Sequence, residues 1–236
     1  MTQPYNPADF SVGHSIFPGF NDQGGIMICG YEWGHSSKDV ELESDPERHA
    51  VAMERLAATQ TFSSKGWDSP YDRRIHKWFS MFGHPLGENG GFSALDKCIL
   101  QTNWCDDMGN HISDYEKFLS DENSANFLGI LREFRPSLLI FMGIKQIEYL
   151  QDLKIKSTVE DLFGPEKSPL RFDRNEDHEG KKFRIAFQEF QNLNIMALPH
   201  PSGSMGLSDA YIHHYATEIG NQISRYKEAK GLQEPA

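Results

Sequence analysis

Three short stretches of the chain hold polar side chains whose types could do chemistry: Gly30-Tyr31-Glu32-Trp33-Gly34-His35, Thr102-Asn103-Trp104 and His200-Pro201-Ser202-Gly203. Together they offer a carboxylate, a carboxamide and an imidazole. A carboxylate can take a proton from water, an imidazole can donate to or accept from a reacting atom, and a carboxamide presents donor and acceptor side by side. Read singly, each is ordinary: Glu32 as a surface acid, Asn103 as a turn former, His200 as the satisfied imidazole of a loop. Their joint interest is position, because each follows directly on an apolar run that reads as a buried strand.

Four such runs stand out, at 26–30 (IMICG), 98–103 (CILQTN), 137–143 (SLLIFMG) and 194–198 (NIMAL). They lack polar alternation, which is the pattern of strands covered on both faces. Helical patterns lie between them. Asp45-Pro46 opens one with Ala50, Met53 and Ala57, and Ser69-Pro70 opens one with Ile75, Trp78, Phe79 and Phe82, each placing a cap before a first-turn proline. Residues 123–134 carry Phe127, Leu128, Leu131 and Phe134 on one face and stop before Arg135-Pro136. Ser157-x-x-Glu160 reads as the capping box of a shorter helix. After Ser208, the stripe Ile212, Tyr215, Ile219, Ile223 and Tyr226 predicts one long C-terminal helix. The expected fold is therefore α/β, a three-layer α/β/α sandwich around a central four-stranded, mainly parallel sheet. Residues 182–190 could add one further strand. Ligands of such sheets bind beyond the carboxyl ends of the strands, where the three polar stretches fall.

With 236 residues, 38% hydrophobic and 24% charged, the sequence suits a single globular domain over 1–236 with its core at about 20–228. No apolar run is long enough for a membrane span, and MTQPYNPADF lacks the features of a signal peptide, so a cytoplasmic protein, monomeric and away from membranes, is expected. Cys29, Cys98 and Cys105 form no C-x-x-C pair and read as reduced, buried thiols.

At the level of motifs, GYEWGH after the first strand, the Thr102-Asn103 pair and the HPSG loop resemble the uracil-DNA glycosylase superfamily. Its members carry G-x-D-P-Y-H or G-x-N-P-G, a middle-strand Asn and a terminal H-P-S loop, and a stretch related to FRPSLLIFMG. The resemblance implies a glycosylase that cleaves the bond between deoxyribose and uracil, or another deaminated or damaged base, with DNA as partner and no cofactor. It implies Glu32 and His200 as catalytic groups. Glu32 would stabilise the oxocarbenium-like sugar and position water, and His200, neutral, would donate to a carbonyl oxygen of the leaving base. Asn103 would read the imide edge of uracil, with Gly30, Tyr31, Trp33 and Gly34 forming the rest of the base pocket. The amides around Ser202, Gly203 and Ser204 would hold a phosphate, and Met205 or Leu207 would fill the gap left by a flipped nucleotide. Trp33, Trp67 and Trp104 are candidate stacking residues.

The sequence departs from those motifs at three places. Glu32 stands where Asp or Asn is usual, Trp33 replaces Pro, and Gly34 stands where the strictly uracil-specific branch has a Tyr that excludes thymine, which implies a roomier pocket. Three cysteines cannot supply the four ligands of an iron-sulfur cluster, and none is expected.

The formal net charge of −11 opposes nonspecific DNA binding. A local patch of Arg171, Arg174, Lys181, Lys182 and Arg184 could offset it, although Asp173, Glu176, Asp177 and Glu179 interrupt it, as in an ordinary mixed-charge loop. Two other readings remain open. A metal-dependent hydrolase would use Glu32 with His35, or His213-His214, although adjacent helix positions point to different faces. A noncatalytic nucleic-acid- or nucleotide-binding module on the same fold would account for the altered GYEWGH motif and the acidic surface.

Overall fold

A computed structural model describes residues 24–34, 41, 44–48, 50–51, 70–87, 95, 98–106, 108–109, 114–174 and 183–232. The apolar runs form strands β1 (Ile26–Gly30), β3 (Ile99–Asn103), β5 (Leu138–Phe141) and β8 (Leu193–Ala197). All four are mutually parallel and ordered β3-β1-β5-β8, with Gly30 opposite Asn103 in the register. Every residue of β1, β3 and β5 is buried, which is why these strands read as continuous apolar runs.

Among the described residues, the sheet has six strands rather than the expected four. Beyond β8 lie β7 (Ile185–Phe190) and β6 (Glu166–Asp173), each antiparallel to its neighbour. The further strand expected within 182–190 is thus present, over Ile185–Phe190. Strand β6 left no such trace, because it is an edge: its sequence, EKSPLRFD, has no buried residue, and the register shifts on both sides of the Ser168 pairing. A small separate pair joins β2 (Trp33–Gly34) to β4 (Met108–Gly109).

Alternate side chains of the strands feed two cores. Ile26, Ile28, Ile99, Leu138 and Ile140 pack with helices α1 (Pro70–Met81), α5 (Asp209–His214) and α6 (Ala216–Lys230). Met27, Cys29, Leu100, Leu139 and Phe141 pack with α2 (Asp121–Phe134), α3 (Ile144–Tyr149) and α4 (Leu153–Phe163). Helices therefore cover both faces, and all three cysteines are buried free thiols. Among the described residues, no helix is long and apolar enough to cross a membrane.

Helix starts follow their caps. The Asp45 carboxylate accepts from the Arg48 amide at 3.1 Å, and α1 opens at Pro70 as the Ser69-Pro70 pattern predicts. Met53 and Ala57 lie outside the described residues. Helix α2 starts two residues early, with Ser120 accepting from the Asn123 amide, and it ends at Phe134, where Arg135 is left-handed and its amide still bonds to the Leu131 carbonyl.

Two helix expectations need correction. Ser157 does not start a helix: α4 begins a turn earlier, where the Asp152 side chain accepts from the Lys154 and Ile155 amides. The Asp152 cap sits between Leu150-Gln151 and Leu153, where no break in the apolar pattern marks it. The long C-terminal helix is two helices, because Tyr215 leaves the helical region at φ −98°, ψ 4°. The apolar stripe runs through this break, since Ile212, Tyr215, Ile219, Ile223 and Tyr226 all enter one core.

Candidate functional site

The three polar stretches meet at one rim, the carboxyl ends of the parallel strands. Gly30 closes β1 and Asn103 closes β3 beside it, while His200 follows β8. The packing between Gly30 and Asn103 leaves no freedom: a Cβ on Gly30 would lie 2.3 Å from Asn103 Oδ1. Glycine is thus required at position 30 so that the carboxamide can lie over the end of β1. Asn103 is buried and makes no side-chain hydrogen bond among the described residues.

The end of β1 is tied down from below by Gln146 of α3, a fully buried residue. Its Nε2 donates to the carbonyls of Gly30 at 2.7 Å and Cys29 at 3.1 Å. Tyr31 then turns its ring over Gly143, where any Cβ would lie about 2.0 Å from the phenol. The glycine of FRPSLLIFMG is therefore a seat for this tyrosine. The Tyr31 ring also packs against Phe118 and Tyr115 and stacks on the His200 ring, with centroids 5.5 Å apart and planes 16° apart. Burial raises the Tyr31 phenol above its ordinary range, so it stays protonated.

His200 is held by its own loop. Its Nδ1 accepts from the amides of Gly203 at 2.8 Å and Ser202 at 3.3 Å. An atom that accepts twice carries no hydrogen, so in the neutral ring the hydrogen resides on Nε2. Burial lowers the imidazole to about 4, which keeps it neutral at physiological pH. The Ser204 amide bonds to the His200 carbonyl at 3.3 Å. The amides of Ser202, Gly203 and Ser204, expected to hold a phosphate, are instead turned inward on His200. Met205 is 95% exposed, whereas Leu207 lies in the core.

Glu32 is nearly covered, its side chain 7% exposed, and Oε2 forms an ion pair with Lys117 on the 3-10 turn Glu116–Leu119. Oε1 has no partner among the described residues. Among the described residues, nothing lies within 4 Å of a Cβ built on Gly34. Trp104 is no stacking residue for a ligand: it is fully buried, stacked on Phe127 at 3.8 Å, and donates to the Phe118 carbonyl. The side chain of Trp33, and all of Trp67, lie outside the described residues.

Several residues of the rim carried no sequence signal. Lys117 reaches Glu32 from 85 positions away. From α1, the Tyr71 ring lies 5.5 Å from the His200 ring, Arg74 donates to the Pro201 carbonyl, and Lys77 pairs with Asp209. Their i, i+3, i+6 spacing marks one helix face, which only the polar side of an amphipathic pattern could have suggested.

Two cations of the expected basic patch are already paired. Arg171 pairs with Asp173 and Glu218, and Arg184 pairs with Glu148 and covers the Phe172 ring. Lys181 and Lys182 lie outside the described residues. His213 and His214 are exposed, and His35 is not described; among the described residues, no group of three or more His, Cys, Asp or Glu side chains could hold a metal ion.

No protein-family model matches the chain, and no curated protein matches it significantly.

Proposed function

We propose that this chain is a DNA glycosylase that hydrolyses the N-glycosidic bond of uracil or another deaminated or damaged base, on a uracil-DNA glycosylase-like α/β/α fold. The observation that carries this reading is the state of His200: a neutral ring whose Nδ1 is occupied by two backbone amides, leaving Nε2–H as a donor at the rim shared with Asn103 and Glu32. Cleavage leaves negative charge on the departing base and positive charge on the sugar. A neutral donor strengthens its hydrogen bond as the first charge develops, and it does so without a proton transfer that a pyrimidine anion would not require.

In this scheme the nucleotide is rotated out of the stack, at a cost of a few kcal/mol, and Met205 enters the gap. Asn103 reads the imide edge of the base, and open space at Gly34 admits bases larger than uracil. Lys117 fixes one carboxylate oxygen of Glu32, and the other positions water toward the anomeric carbon. A panel of single- and double-stranded oligonucleotides carrying uracil, hypoxanthine, xanthine or a G·T mismatch, cleaved with alkali after incubation, tests the reading. Excision of one lesion that is lost in both Glu32→Gln and His200→Ala supports it; intact strands throughout refute it.

The engagement of Glu32 by Lys117 and the stacking of Tyr31 on His200 favour a second reading, a noncatalytic binding module. That module would bind a lesion-bearing strand with unchanged affinity in Glu32→Gln and would release no base.

A further inference from the structure

We infer that Arg74 is a positioning residue that sets the tautomer of His200 through the Pro201–Ser202 peptide. Among the described residues, Arg74 donates from Nη1 to the Pro201 carbonyl oxygen. The amide hydrogen of that same peptide unit is the Ser202 N–H, which donates to His200 Nδ1. A trans peptide is planar with its C=O and N–H pointing in opposite directions, and the described chain contains no cis bond. Whatever holds the oxygen therefore aims the hydrogen. The guanidinium fixes the plane of the peptide, and its positive charge on the oxygen further polarises the N–H toward the ring nitrogen.

The remaining contacts give the helix a firm grip on this loop. Tyr71, one turn before Arg74 on α1, lies beside the imidazole, and Lys77, one turn after it, pairs with Asp209 where the loop ends. Three consecutive turns of one helix thus hold the ring, the peptide next to it and the far end of the segment. Of the three, only Arg74 acts on a peptide that touches Nδ1. Without it, the Pro201–Ser202 plane can rotate, one of the two amide donors to Nδ1 is withdrawn, and the Ser202 hydroxyl, 3.5 Å from Nδ1, can accept a hydrogen placed there, so hydrogen on Nδ1 becomes competitive with hydrogen on Nε2.

The use made of Nε2–H rests on the glycosylase reading; the setting of the tautomer does not. Two-bond proton–nitrogen correlation spectra of the imidazoles, with His200 assigned by its absence in His200→Gln, read the tautomer directly. Wild-type protein is expected to show His200 wholly in the Nε2–H form, and Arg74→Met to show a mixture with Nδ1–H at unchanged circular dichroism. Should Arg74→Met not fold, Arg74→Gln carries the same comparison. An Arg74 variant with the His200 pattern of wild type overturns the inference. Excision assays separate the two claims: a shifted tautomer in a protein inert on every lesion sinks the function alone, whereas full excision by Arg74→Met with an unchanged spectrum sinks the inference alone.

Discussion

At the scale of residues, the neutral state of His200 has consequences for stability as well as for chemistry. Its folded value of about 4 lies below the ordinary histidine value of 6.5. Between these two, the unfolded chain binds a proton that the folded chain refuses, so stability is full above pH ~6.5 and falls as the pH is lowered toward ~4. The loss is on the order of 2 kcal/mol after allowance for the partly exposed edge of the ring. Urea unfolding of wild type and His200→Gln across this range should give curves that converge at acid pH; parallel curves would contradict it. Under the proposed mechanism, His200→Ala should lower kcat about 100-fold, roughly 3 kcal/mol of lost hydrogen bonding, with little change in DNA affinity. The types Glu32, Asn103 and His200 could be picked out of the sequence because each ends an apolar run. Their partners could not, since Lys117, Arg74 and Gln146 are single polar positions whose own spacing does not mark which distant backbone or side chain they reach. The HPSG amides follow the same rule: a sequence names the donors of a loop but not which acceptor lies nearest.

Among the elements, legibility followed burial. Strands β1, β3, β5 and β8 were readable because both their faces are covered, and α1 and α2 because a single face is. The start of α4 and the break at Tyr215 were not, because capping and backbone angles leave the apolar stripe intact. The Asp152 cap is open to direct measurement. Asp152→Ala should cost about 1 kcal/mol and lower the thermal midpoint, while Ser157→Ala, inside the helix, should be near neutral. A stronger test concerns the join of β1 to β3. Gly30→Ala must displace the Asn103 carboxamide from the strand end, an overpacking that should cost about 1–3 kcal/mol in chemical denaturation. A stability equal to wild type would mean that the rim tolerates a wider strand end than its packing indicates.

For the whole molecule, the governing quantity is the charge of −11. Arg171 and Arg184, two cations of the expected patch, are already paired to carboxylates. Any DNA affinity should therefore fall only gently with salt, with a logarithmic slope of about −1 to −2 in fluorescence anisotropy titrations, and Arg171→Ala should leave it unchanged. A steep slope would point to a cationic surface outside the residues described above. The outermost strand of the sheet has a consequence of a different kind. Strand β6 carries Pro169, two register shifts and the charges of Glu166, Lys167, Arg171 and Asp173. A proline without an amide hydrogen and a kinked ladder cannot template a straight incoming strand, so the open flank of the sheet is a poor seed for fibrils or runaway stacking of copies. Concentrated solutions of this protein should accordingly stay clear, whereas straightening that flank with Pro169→Val and Lys167→Val would invite precipitation.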